Sequence, residues 1–141
     1  RSRALGLLAR REHSRAELQR KLAPHTEDPQ ELIELLDDFT RRGWLSDARF
    51  AEALVHDKQA QFGVSRLAYE LRERGVEESV IRDQLAELKD SELERARQVW
   101  QSKFGEFPED AKARAKQMRF LQSRGFSFDV IGKVLRGASD A

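Results

Sequence analysis

The chain has no cysteine among its 141 residues, which excludes a disulfide framework, a thiolate zinc site and a cysteine nucleophile. Proline is nearly absent, with only Pro24, Pro29 and Pro108. Long apolar runs are missing, which excludes a helical membrane span. Charge of one sign is missing as well: 26 basic residues face 25 acidic ones, a formal net charge of +1, so the bulk charge does not announce a polyanion binder. The opening Arg1-Ser2-Arg3-Ala4-Leu5 lacks the hydrophobic block of a signal peptide, and a cytoplasmic protein is expected. Arg1 in place of an initiator Met leads us to expect further residues ahead of it.

The groups that carry catalysis are also sparse. His13, His25 and His56 include no pair at the i, i+4 spacing of a helical zinc site, and each is expected to be exposed or half-buried. The carboxylate pairs Asp37-Asp38, Glu77-Glu78 and Glu109-Asp110 are adjacent, so on a helix they point apart and cannot converge on one atom. The eight glycines are isolated and form neither a phosphate-binding loop nor a nucleophile elbow. No catalytic residue, cofactor or metal is expected, and the chain reads as a non-enzyme.

What the sequence does have is periodicity. Apolar residues recur three or four apart throughout, which predicts an all-α protein. Ser14-Arg15-Ala16-Glu17 and Ser91-Glu92-Leu93-Glu94 have the spacing of capping boxes. Asp28-Pro29-Gln30-Glu31 offers a cap, a first-turn proline and an N3 acid. Gly43, Gly75 and Gly125 each follow a basic residue and read as stops. The predicted helices cover 2–11, 15–23, 29–42, 47–61, 65–74, 77–88, 92–104, 108–124 and 128–136. Phe50, Ala51, Leu54, Val55 and Phe62 form one core stripe; Leu32, Leu36 and Phe39 form another; Leu93, Ala96, Trp100 and Phe104 form a third.

The nine helices fall into a repeat. Leu71-Arg72-Glu73-Arg74-Gly75-Val76 aligns with Leu121-Gln122-Ser123-Arg124-Gly125-Phe126 at an offset of 50, and Val80, Ile81 and Leu85 align with Val130, Ile131 and Leu135. Leu18 and Leu22 match Leu67 and Leu71 at an offset of 49, and the first unit's second loop, Ala23 to Asp28, is longer. The fold class expected is an array of three tandem three-helix repeats, at 1–45, 46–90 and 91–141.

Charge is uneven along the array. Residues 1–45 net +1, residues 46–90 net −3, and residues 91–141 net +3. Between Ala111 and Phe128 stand Lys112, Arg114, Lys116, Arg119 and Arg124 with no acid; Lys112, Lys116 and Arg119 share one helical face. The first repeat has its own cluster in Arg10, Arg11, Arg15, Arg20 and Lys21. Such a face suits a phosphate backbone or an acidic protein groove.

These motifs resemble the RecX family. Leu7 to Leu18, followed by Lys21-Leu22, is similar to the family's opening. Gly43-Trp44-Leu45-Ser46-Asp47-Ala48-Arg49-Phe50-Ala51 resembles its central G-[aromatic]-L-x-D-x-R-F-A motif, and Phe62-Gly63, Arg66, Glu70-Leu71 and Gly75-Val76 resemble the start of its second repeat. Phe120-Leu121-Gln122-Ser123-Arg124-Gly125-Phe126 resembles its F-L-x-x-R-G-F signature. The matches run in order from Ala4 to Leu135. Departures are Trp44 and Ser46, where many members have Tyr and Asp, and Val64, where many have Pro. Ser46 can still cap its helix; Val64 predicts a looser entry to the fifth helix.

The resemblance implies an elongated, curved array. It implies a monomer that binds the groove of the RecA recombinase filament on single-stranded DNA and inhibits RecA ATPase, strand exchange and coprotease activity. Weak direct contact with DNA is part of the same expectation. The residues assigned to the partner are Arg10, Arg11, Arg15, Lys21, Arg49, Lys112, Lys116, Arg119 and Arg124; Arg49 and Arg74 could instead serve structure. Two other readings stay open, a direct nucleic-acid binder and a helical adaptor for a peptide segment.

Overall fold

Capping chemistry sets where the helices begin. In the computed structural model, which describes residues 1–137, the described residues form nine α-helices: α1 (Ser2–Arg10), α2 (Arg15–Leu22), α3 (Pro29–Arg41), α4 (Asp47–Lys58), α5 (Val64–Glu73), α6 (Glu78–Leu85), α7 (Glu92–Lys103), α8 (Ala111–Ser123) and α9 (Phe128–Arg136). Residues 138–141, with which the third repeat was expected to close, lie outside the described residues. Short 3₁₀ turns follow α2 at Ala23–His25 and α6 at Ala86–Lys89.

Ser14 completes its predicted capping box: its hydroxyl accepts from the Glu17 amide while Glu17 accepts from the Ser14 amide. Asp28 accepts from Gln30 N–H ahead of Pro29, and Ser46 caps α4 through the Arg49 amide. Ser91 does not form its predicted box. The 3₁₀ turn runs almost directly into α7, so Ser91 holds a helical φ of −97° and its hydroxyl turns away, donating to Leu88 O and accepting from Arg95 Nε. α8 starts three residues later than its predicted start at 108, because Asp110 caps Ala113. The expectation of a loose entry to α5 is also corrected. Val64 donates its N–H to Glu92 Oε1 at 3.0 Å, a bond that a proline could not make.

The described residues divide into two compact units. One comprises Arg1–Leu54 with Leu71–Gln84, and the other Val55–Glu70 with residues from Leu85 onward. In the first, Ala4, Leu18, Leu22, Leu32, Leu36, Phe39 and Leu45 form a core flanked by Leu7, Leu8 and Leu35. In the second, Ala96, Trp100, Leu121, Phe126, Ile131, Val134 and Leu135 do the same, with Met118 and Phe120 packed against them. Each buried Leu, Ile or Phe is worth about 1.5–3 kcal/mol of transfer free energy. The Trp100 indole donates to Gln117 Oε1 at 2.8 Å, and Gln117 donates onward to Glu106 O. Phe50, Ala51, Leu54 and Val55 are buried as their stripe predicts; Phe62, Leu93 and Phe104 are only half-buried.

Each unit contains one repeat junction, and the two junctions use the same parts. In the first unit, Ser14 Oγ donates to Arg74 O at 2.6 Å, and Arg15 N donates to Asp47 Oδ1 at 2.8 Å. In the second, Gly63 N donates to Arg124 O at 2.7 Å, and Val64 N donates to Glu92 Oε1. Ser14 and Gly63 are equivalent at the offset of 49, as are Arg15 and Val64. Thus the second helix of one repeat is held by the Arg-Gly turn and the first-turn acid of the next. The turns need glycine for two reasons. Gly75 and Gly125 have φ of +77° and +89°, and a Cβ on either would overlap the facing helix, at Ala16 and at Arg66 respectively.

Candidate functional site

The basic residues of the first compact unit are largely spent on acids of the same unit. Arg11 makes two 3.2 Å bonds to Glu17, Arg15 meets Asp37 at 2.7 Å, and Arg49 meets Glu12 at 2.9 Å. Arg74 also approaches Glu17, at 3.7 Å. Burial pushes the Glu17 carboxyl up, but the Arg11 and Ser14 bonds and the Arg11 charge outweigh it and hold the carboxyl below its ordinary value.

Lys21 sits differently. Its ammonium is 3.1 Å from His13 Nε2, and His13 Nδ1 is 3.1 Å from Arg11 O. The carbonyl can only accept and the ammonium can only donate, so this geometry selects a neutral ring with its proton on Nδ1. His13 is 1% exposed, not the exposed or half-buried side chain the sequence suggested. Burial, helped by the charges of Arg11 and Lys21, lowers its pKa from the ordinary histidine value. Arg10 and Arg20 are exposed and make no ion pair among the described residues.

On α8 the balance reverses. Lys112, Arg114, Lys116 and Arg119 are exposed, and none makes an ion pair among the described residues. Gln117, Met118 and Leu121 carry the helix's inward face. Arg124, at the end of α8, is placed otherwise. Its guanidinium lies 5.0 Å from the Phe120 ring centroid and 5.5 Å from that of Phe62, and its carbonyl is taken by Gly63. Lys103 also covers Phe120, at 5.4 Å. Arg124, Phe120 and Lys103 line a shallow groove of about 430 Å³ together with Gln61, Gln98, Val99 and Ser102.

Sequence reasoning missed several buried polar groups that organise these surfaces. Arg95 donates to Gln59 O, Phe62 O and Leu88 O at 2.9, 2.7 and 3.1 Å, tying down the end of α4; burial lowers its pKa. Glu70, 9% exposed, accepts from Lys58 and Arg66. Burial raises its carboxyl pKa, but those two cations outweigh this and leave it lowered. Neither residue belongs to a local pattern that announces the role. Among the described residues, no group of three His, Asp or Glu side chains stands ready to hold a metal ion, and no helix is long and apolar enough to cross a membrane. The site has the character of a charged surface.

Three family models match the chain: the first three-helix domain of RecX at residues 1–32, the second at 46–85 and the third at 90–135. The regulatory protein RecX of Leptothrix cholodnii is 52% identical over 134 residues, 95% of this chain and 85% of that one. The RecX of Ralstonia nicotianae is 47% identical over 97% of this chain and 86% of its own. Among solved structures, RecX from Lactobacillus salivarius superposes with a TM-score of 0.84 at 18% identity, covering 99% of this chain and 94% of that one; at that identity the likeness establishes the fold alone. With an all-α tandem array of three-helix repeats and near full-length relatives of this identity, the chain belongs to the RecX family of regulatory proteins.

Proposed function

We propose that this chain regulates a RecA recombinase in the cytoplasm. As a monomer it binds the groove of the RecA filament on single-stranded DNA and restrains ATP hydrolysis, strand exchange and coprotease activity. It does so without catalysis of its own, through repeats spanning 1–45, 46–90 and 91–141. The observation that carries this reading is the uncompensated basic face of α8. Lys112, Lys116 and Arg119 share that face and stand exposed without an acid partner among the described residues, as does Arg114 elsewhere on the helix.

Fixed cations of this kind steer a protein to an acidic surface and raise its association rate at low salt. An array of repeats would touch several filament subunits, and weak contacts would then add through effective concentration. Arg10 joins the α8 set as a free cation. Arg11, Arg15, Lys21 and Arg49 hold internal partners; in the complex Arg11, Arg15 and Arg49 exchange surface ion pairs of small worth for filament acids, and Lys21 turns from His13 to one. Arg124 contributes through its aromatic groove, where weak direct contact with DNA phosphate is also expected.

Adding the protein to preformed RecA–single-stranded DNA filaments, with ATP hydrolysis and filament length recorded together, tests the reading. Hydrolysis should fall while filaments shorten or stop growing. If neither quantity changes, the regulatory reading fails. Tight DNA binding without RecA, weakening steeply with salt, would instead favour a nucleic-acid binder.

A further inference from the structure

The repeat register gives the basic face of α8 a more specific meaning. At the offset of 50, Lys112 corresponds to Phe62, just ahead of α5, and Ala115, Lys116 and Arg119 to Ser65, Arg66 and Tyr69 of α5. At the further offset of 49 they correspond to His13, just ahead of α2, and to Ala16, Glu17 and Arg20 of α2. In both earlier helices the following repeat docks on this face at its middle positions, Ala16 and Glu17 of α2 and Arg66 of α5, while Arg20, Ser65 and Tyr69 stay exposed. Glu17 meets Arg74, and Gly75 abuts Ala16. Arg66 donates to Ser123 O at 3.4 Å, and Gly125 abuts its Cβ. Above each contact a first-turn acid, Asp47 or Glu92, accepts the first amide of the helix. On α8 the amides at the equivalent positions, Ala113 and Arg114, are held by Asp110 of the same chain, and the face beyond them is exposed at Lys112, Lys116 and Arg119 and carries no acid.

We propose that this face is an open repeat junction whose occupant is a protein segment: a glycine-containing turn packing at Ala115 and an acidic first helical turn on the partner, the acid meeting Lys112 and Lys116 where the chain's own junctions use a helix amide, because Asp110 already holds those amides of α8. This rests on the filament-binding reading above and identifies the partner surface as protein rather than phosphate. The chemistry of the occupant follows from the change in side chains. The internal faces are mixed, with acid against arginine in one and arginine against carbonyl in the other. The α8 face is uniformly donor, so its complement is uniformly acceptor, made of carboxylates and turn carbonyls. Phosphate would satisfy the cations equally. It gives no use to Ala115, which stands where Ala16 lets the Gly75 turn approach to contact.

A second copy of this chain fits less well. Where the second and third repeats have Arg74-Gly75 and Arg124-Gly125, the first has His25-Thr26 in a longer loop, and α1 has no acid in its first turn.

Two measurements on RecA–single-stranded DNA filaments decide the matter. Ala115→Arg adds a cation and fills the space for a turn. An open protein junction predicts at least tenfold weaker filament binding, with circular dichroism unchanged; unchanged or tighter binding, as phosphate contact requires, overturns the proposal. The chain has no cysteine, so Ala115→Cys carries a single thiol, and Lys116→Cys provides a second, more exposed one. Labelled with benzophenone maleimide and irradiated on the filament, these should crosslink to a RecA peptide containing an Asp or Glu in the first turn of a helix. Crosslinks confined to DNA, to a second copy of this chain, or absent while inhibition persists would overturn it. If the unmodified protein does not bind filaments at all, the functional reading itself fails, and the junction proposal falls with it.

Discussion

α2 and α8 are the same helix of two repeats, and both are rich in cations, yet they end in opposite states. Around α2, Arg11 and Arg15 are matched to Glu17 and Asp37, and Lys21 to the buried His13. The face of α2 is closed by Ser14 on Arg74 O. On α8, Lys112, Arg114, Lys116 and Arg119 meet no acid among the described residues, and Asp110 of its own chain caps its start. The difference teaches that composition does not locate a binding face. Cations become available for a partner where the fold has not supplied the counter-charge.

The comparison breaks most visibly at a filled junction. Gly63 is the position equivalent to Ser14, and a Cβ there would overlap the Gly125 carbonyl and the Phe126 amide, backbone atoms with no room to yield. Gly63→Ala should cost about 3 kcal/mol, as overpacking at a rigid contact does. Urea unfolding followed by circular dichroism reads the loss. A midpoint within error of the parent would mean that the junction opens without cost. Gly6 has open space where its Cβ would go, and Gly6→Ala in helix α1 should be neutral or slightly stabilising.

At the open face the expected outcome is the reverse, with stability spared and binding lost. Lys112→Glu, Lys116→Glu and Arg119→Glu combined should change the urea midpoint by less than the equivalent of about 0.5 kcal/mol, as exposed substitutions do. Filament affinity should fall about 100-fold, or about 2.7 kcal/mol. Intact inhibition of RecA ATP hydrolysis by this variant would remove α8 from the mechanism.

Much of this was legible in the sequence, and the failures share a cause. Helix starts at Ser14, Asp28 and Ser46 could be read because capping is local. The Arg-Gly turns could be read because their register repeats. Which cations are free could not, because Arg15 finds Asp37 22 residues away and Arg49 finds Glu12 37 residues away. The box at Ser91 failed because the preceding 3₁₀ turn fixed its backbone in the helical region. His13 failed because its burial depends on chain that folds over it, and a lone histidine carries no pattern announcing that.

The closed face of α2 also carries a pH dependence. His13 has its pKa lowered by burial, so the unfolded chain takes up its proton at higher pH than the folded one does. The stability it contributes is therefore complete above the ordinary value of 6.5 and declines as pH falls below it. Glu17, likewise lowered in the fold, adds a second decline as pH falls below 4.5. Urea midpoints measured from pH 7.5 to 5 should drop, and His13→Gln should flatten that drop. Parallel curves for the two proteins would mean that the ring takes up a proton without strain.

The smallest effect expected is at Arg15, where the comparison can be made within one residue. Its backbone amide donates to Asp47 and belongs to the junction; its guanidinium meets Asp37 in a half-exposed pair. Arg15→Gln keeps the first contact and removes the second, so stability should fall by about 0.5 kcal/mol or less. Asp47→Asn weakens the amide contact while leaving the Arg15–Asp37 pair in place, and should cost more, about 1 kcal/mol, because a charged acceptor at a helix start is replaced by a neutral one. If the two variants lost equal stability, the distinction between cations that close the fold and acids that join its repeats would have no energetic basis.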